Sequence, residues 1–143
     1  MKLSGMAFLA VLLSAGTAAA QEGEGAQGGL FSEEQIAMEV RMTRSWLEES
    51  LVDYESARFR NVRVVLLSPN RRDRSQVVLA VCGQANARNR MGGYNGYKDF
   101  YFSSAMDAFR GQDFGVFASE VCGRANSLNE TDYTDQLKSE GAQ

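Results

Sequence analysis

The sequence predicts an α+β domain with a long N-terminal helix, a small antiparallel sheet of about three strands and a C-terminal helix. Apolar residues recur on one helical face from Ile36 to Tyr54, short β-branched and aromatic runs fill the middle, and a second helical repeat runs from Phe114 to Leu128. Helices at the two ends and strands between them, joined by short connections, read as α+β.

The first element lies outside that domain. Lys2 gives a positive start, residues 6–13 (MAFLAVLL) form a short apolar run, and Ala18, Ala19 and Ala20 make an A-x-A cleavage signal. This is the pattern of a secretory signal peptide over residues 1–20. The apolar run is far shorter than the ~20 residues a membrane-spanning helix needs. Removal is therefore expected, with no transmembrane span left behind; a buried core helix is the alternative. The expected location is periplasmic or secreted. Residues 21–30 (QEGEGAQGGL), rich in Gly and Glu and without aromatics, read as a disordered spacer. The single domain is placed at 31–129, and 130–143 reads as a frayed polar tail.

Within the domain, Ser32 and Gln35 match a capping box, and Phe31 with Ile36 a hydrophobic staple. Glu33 and Glu34 then complement the helix dipole. Ile36, Val40, Leu47, Leu51 and Tyr54, flanked by Ala37 and Trp46, extend the helix over 33–54. Its stripe reads as core, with a partner contact through Met42 and Trp46 as the rival use. Residues 61–67 (NVRVVLL) predict a strand, and 68–75 a loop carrying Arg71, Arg72 and Arg74. Residues 76–82 predict a second, antiparallel strand and 97–102 (YKDFYF) a third. The last helix is expected over 114–128. Residues 81–89 and 121–129 share a Val-Cys-Gly-x-Ala-Asn opening, which reads as coincidence because the two copies fall in different kinds of element.

Composition narrows the chemistry. The net charge is −3 and histidine is absent, which removes the commonest general base and metal ligand at neutral pH. Residues 41–90 carry ten arginines against five acids, between acidic ends. That pattern favours internal pairing and a solvated face over a nucleic-acid surface. No Cys-x-x-Cys occurs, and nothing calls for a metal or another cofactor. Cys82 and Cys122, an even count in an exported chain, read as one disulfide, worth roughly 3–4 kcal/mol on the chain-entropy account; two buried thiols are the alternative.

The densest unusual stretch is residues 82–97, CGQANARNRMGGYNGY. In one reading Gly83, Gly92, Gly93 and Gly96 are turn glycines and the Asn amides cap loop backbone in a hairpin. In the other, Asn86, Arg88, Asn89, Tyr94 and Tyr97, with Arg90 nearby, form a polar-aromatic site for a sugar, peptide or anion.

This stretch, written C-G-x-x-N-x-x-N-x-x-G-G-Y-x-G-[FY], resembles the signature of a family of small exported or phage-associated proteobacterial proteins, as does the upstream Ser56-Ala57-Arg58-Phe59-Arg60. The likeness spans about residues 52–102, with Cys122 matching a cysteine near the family's C-terminus. Tyr54-Glu55 stands where the family has Asp-Pro, and Arg88 where it often has Lys. The resemblance implies a bacterial origin and a compact α+β domain, and it brings no activity with it.

Three functions are consistent with these features. The first is a non-catalytic binding or accessory module of the bacterial envelope, with a glycan, peptide or protein as partner and no catalytic residue. The second is a hydrolase of envelope polymers using Asp99 and Asp107, with Glu55 or Glu120 as further candidates. The third is a structural subunit of an envelope or phage-related assembly. A thiol enzyme built on Cys82 is disfavoured, since no histidine is available to activate it.

Overall fold

The structure, a computed structural model, describes residues 29–70, 75–107 and 111–138. The expected signal peptide, residues 21–28 of the spacer and the arginines at 71, 72 and 74 lie outside them.

Helix α1 (Glu33–Ser50) begins as its capping box predicts. Ser32 Oγ accepts from the Gln35 N–H at 3.2 Å, and Gln35 Oε1 accepts from the Ser32 N–H at 2.8 Å. The helix stops at Ser50 rather than at residue 54. Asp53 captures the chain instead: its carboxylate accepts from the Ser56 N–H at 3.2 Å and opens a 3₁₀ turn, Tyr54–Ser56. A short polar side chain bonding its own backbone is a strong local competitor to helical hydrogen bonds.

The sheet is antiparallel and has five strands rather than three, in the order β4-β3-β2-β1-β5. Its centre is β1 (Arg58–Leu67), β2 (Val78–Asn86) and β3 (Lys98–Phe102). The two extra strands, β4 (Gln112–Phe114) and β5 (Asn126–Ser127), are edge pieces too short to show a period in sequence. β1 starts before the predicted residue 61. A bulge between Arg60 and Arg63 carries it past Asn61, whose φ of 54° an asparagine tolerates. β2 runs on through Cys82 to Asn86, pairing with Arg58 at that end.

Each face of the sheet has its own core. α1 covers one, where Val40 and Leu47 meet Phe59, Val62, Val64, Val81 and Phe100. Leu137 of the 3₁₀ turn Thr134–Leu137 and Tyr133, the residue that precedes the turn, join them. The predicted frayed tail thus contributes a fully buried side chain, and the Tyr133 N–H donates to the Val62 carbonyl at 2.9 Å. Two apolar residues in a polar background, four apart, are enough to dock the segment once a sheet edge is there to receive it.

Helix α2 (Val116–Arg124) covers the other face, setting Ala118 and Cys122 on Val65, Ala80, Cys82 and Tyr101. It is shorter than the predicted 114–128. Phe114 belongs to β4 and stacks on Trp46 at 4.8 Å, across the sheet from α2. Gly115, at φ 99°, then turns the chain into the helix. Beyond Arg124 the backbone pairs with Val65 and Leu66 of β1. The Cys82–Cys122 disulfide, with Cα atoms 5.8 Å apart, joins α2 to the middle of β2. Arg63 donates to the Cys122 carbonyl at 2.7 Å, a cation at the helix's C-terminal end.

Candidate functional site on the uncovered half of the sheet

Because α2 is only nine residues long, it hides only part of its face. Side chains alternate along a strand, so Gln84 and Asn86 share the face of Cys82 but lie beyond the helix. Register brings Arg60 opposite Gln84, Gln84 opposite Asp99, and Arg58 opposite Asn86. A polar ladder results. Arg60 Nε donates to Gln84 Oε1 at 2.7 Å, and Gln84 Nε2 donates to Asp99 Oδ1 at 2.8 Å.

Residues 87–97 fold over the end of this ladder. Tyr97 lies under Arg60, whose guanidinium carbon is 3.9 Å from the ring centre. Tyr94 receives two cations, Arg58 at 4.7 Å and Arg88 at 5.7 Å. Its hydroxyl donates to the Ser56 carbonyl at 2.9 Å, and Ser56 Oγ accepts from the Arg88 N–H at 3.1 Å. A single residue of the 3₁₀ turn therefore anchors the loop twice. Arg58, Arg60 and Arg88 are exposed, and none forms an ion pair among the described residues. Guanidinium planes held on aromatic faces keep their N–H edges for a carboxylate or phosphate.

Of the residues singled out from sequence, Arg88, Tyr94 and Tyr97 come together here. Asn89 lies in the same loop but is occupied in holding it. Its Oδ1 accepts from the Met91 N–H at 2.9 Å and the Gly93 N–H at 3.1 Å, while its Nδ2 donates to Asn95 Oδ1 at 3.1 Å. Asn86 belongs to β2 rather than the loop, and its Oδ1 is buried without a hydrogen-bond partner. Gly92 and Gly96 do make turns, at φ 81° and 89°. Gly83 does not: it sits in mid-β2, where the Phe100 ring leaves no room for a Cβ. Gly93 lies in the turn without a positive φ.

Arg58, Arg60 and Gln84 are the site residues that the sequence reading missed. The signal was the two-residue spacing of Arg58 and Arg60, which places both on one face of a strand that begins earlier than its β-branched run.

Among the candidate carboxylates, Asp99 and Glu120 line one open cleft of about 560 Å³ between β3 and the start of α2, next to Tyr97; Glu55 and Asp107 do not line it. Glu120 also pairs with Arg124. Among the described residues no group of His, Cys, Asp or Glu is placed to hold a metal ion, and no helix is long and apolar enough to cross a membrane. Comparison with known protein families, curated proteins and solved structures yields no match to this chain.

Proposed function

We propose that this protein is an exported, non-catalytic accessory module of the bacterial envelope that holds an anionic envelope glycan on the bare half of its sheet. One observation carries the reading: three exposed guanidiniums without ion-pair partners among the described residues, held over the rings of two tyrosines. Aromatic faces already covered by arginine are poor platforms for nucleobases, whereas the guanidinium N–H groups beyond the one Arg60 gives to Gln84 suit contact with acidic groups. The second N–H of the Gln84 amide and the hydroxyl of Tyr97 add the polar contacts a sugar requires. The disulfide and the leader-like first twenty residues support an oxidising compartment.

The test is calorimetric titration with a carboxylated oligosaccharide, its neutral counterpart and an acidic peptide. The carboxylated sugar should bind with an affinity that falls as salt rises. An Arg58→Ala/Arg60→Ala double variant should lose about tenfold or more, since each charge-assisted hydrogen bond is worth about 1.5–3 kcal/mol. Equal binding of acidic and neutral sugars would refute the assignment, and preference for the peptide would move it to a protein partner.

A second reading, hydrolysis of an envelope polymer, draws on Asp99 and Glu120 lining the same cleft. Turnover abolished by Asp99→Asn or Glu120→Gln would establish it. Turnover that survives both would remove it.

A further inference from the structure

At the other end of β2, on the α1 side of the sheet, a second cleft of about 420 Å³ opens between the first turns of α1, the start of β2 and the segment after β3. Its walls are apolar, formed mainly by Phe31, Met38, Val78 and Leu79. Its polar floor is Glu39, which is only 5% exposed. The Glu39 carboxylate accepts from the Ser104 N–H at 2.7 Å and from the Ser104 hydroxyl. Those two bonds use about half of the four lone-pair positions a carboxylate offers. Among the described residues no cation lines the cleft and Glu39 has no ion pair. Glu34, exposed in the first turn of α1, adds a second negative charge to the lining.

Buried charges in proteins are ordinarily paired, because taking an ion out of water without a counter-charge is costly. The tie to Ser104 does not require a charge. A glutamine could accept from the same N–H and donate to the same hydroxyl, so the bond network alone leaves the carboxylate unexplained. We propose that this cleft binds a small amphiphilic primary amine, with its alkyl chain against Phe31, Met38, Val78 and Leu79 and its ammonium on the free lone pairs of Glu39. The volume lies within the range of small-molecule sites, and an apolar wall with a few placed polar groups is their usual make-up. This site is independent of the arginine–tyrosine surface, which lies on the opposite face.

The probes are hexylammonium, hexanol and hexanoate, titrated into the oxidised protein and followed by the amide resonances of Ser104 and Leu79. Hexylammonium should bind about tenfold or more tightly than hexanol, the margin expected of a charge-assisted hydrogen bond over a neutral one, and hexanoate should bind weakest. Glu39→Gln should bring the ammonium down to the level of the alcohol. Met38→Lys, a change at a side chain 46% exposed, should do the same by supplying a competing ammonium, and it leaves the Ser104 tie intact. Equal binding of amine and alcohol to the unaltered protein would overturn the proposal, as would an ammonium preference that persists in both variants.

Discussion

Replacing Gly83 with alanine tests the packing that sets the two halves of the sheet in place. A Cβ at this position would stand 2.7 Å from Phe100 Cζ, 2.9 Å from Phe100 Cε1 and 2.9 Å from Val62 Cγ2. Carbon atoms in contact prefer about 3.5–4.0 Å, so the ring or the valine must move by most of an ångström. Neither has much freedom. Phe100 is fully buried and Val62 is 1% exposed. The Phe100 ring also touches Phe59, Trp46 and Phe114, at centroid distances of 6.4, 6.4 and 6.2 Å. Overpacking of this kind costs about 1–3 kcal/mol, offset in part by the roughly 0.5–1 kcal/mol gained on removing glycine from a strand. The net loss of about 0.5–2 kcal/mol corresponds to a melting midpoint lower by roughly 2–10 °C. Thermal and urea unfolding followed by circular dichroism would measure it. Gly93→Ala is the control, since its nearest neighbour is the Asn89 amide at 3.8 Å and its φ is not positive; it should stay within about 0.5 kcal/mol of the parent. Gly92→Ala, forced to φ 81°, should lose about 1 kcal/mol through backbone strain alone. Gly83→Ala melting within a degree of the parent, or Gly93→Ala proving the worse of the two, would refute the packing argument.

Further outcomes follow from the same structure. Replacing Cys82 and Cys122 by alanine opens a cross-link between residues 40 apart and should remove roughly 4 kcal/mol, read as a lower urea midpoint than that of the oxidised protein. Leu137→Ala should cost about 2–5 kcal/mol because the side chain is fully buried; a change below 0.5 kcal/mol would mean the terminal segment is not docked. Asn89→Ala strips two backbone N–H groups and Asn95 of their partner and should destabilise by about 1–3 kcal/mol, whereas the Arg58→Ala/Arg60→Ala pair should cost no more than about 1–2 kcal/mol, the worth of two exposed cation–π contacts. Burial pushes the Tyr54 phenol up to about 12, above the ~10 of an unfolded chain. The folded state therefore holds that proton more tightly, and the resulting stability is complete below about pH 10 and lost as pH rises towards 12. Urea midpoints of the parent should fall faster than those of Tyr54→Phe across that interval.

What the sequence made legible, and what it hid, divides along physical lines. The capping box at Ser32 and Gln35 is a local interaction complete within four residues, and it stands in the structure as written. The central strands carry strong β-branched runs, so their existence was plain. Their ends were not, because Arg58 to Arg60 and Gly83 to Asn86 are strand only by virtue of pairing with each other. The C-terminal helix was overextended for a related reason. Phe114 fits the helical period, yet its ring is held by Trp46 on the opposite face, and the one local warning was Gly115. Tyr133 and Leu137 gave no periodic signal, since a single 3₁₀ turn has none to give. The loop stands out by its glycines and asparagines, but the two asparagines differ in a way no spacing reveals. Asn89 organises the turn, while Asn86 lies in a strand.

That difference bears on how the arginine–tyrosine surface would bind. A ligand held by loop side chains ordinarily loses affinity to the ordering of those side chains, about 0.5–1.5 kcal/mol for each one immobilised. Here much of the ordering is already present. Asn89 closes the turn, Ser56 ties Arg88 and Tyr94 to the 3₁₀ turn that leads into β1, and the disulfide fixes α2 to β2 two residues from Gln84. Each arginine rests on a tyrosine ring before any ligand arrives. Mutating the turn should therefore weaken binding even though the Asn89 amide is taken up by bonds within the loop. It should do so by raising the entropic cost of association, with the contact enthalpy little changed. Calorimetry on Asn89→Ala at a temperature well below its midpoint separates the two terms. An affinity loss carried wholly by enthalpy would mean that the amide is itself a ligand contact, and the distinction drawn between the two asparagines would have to be abandoned.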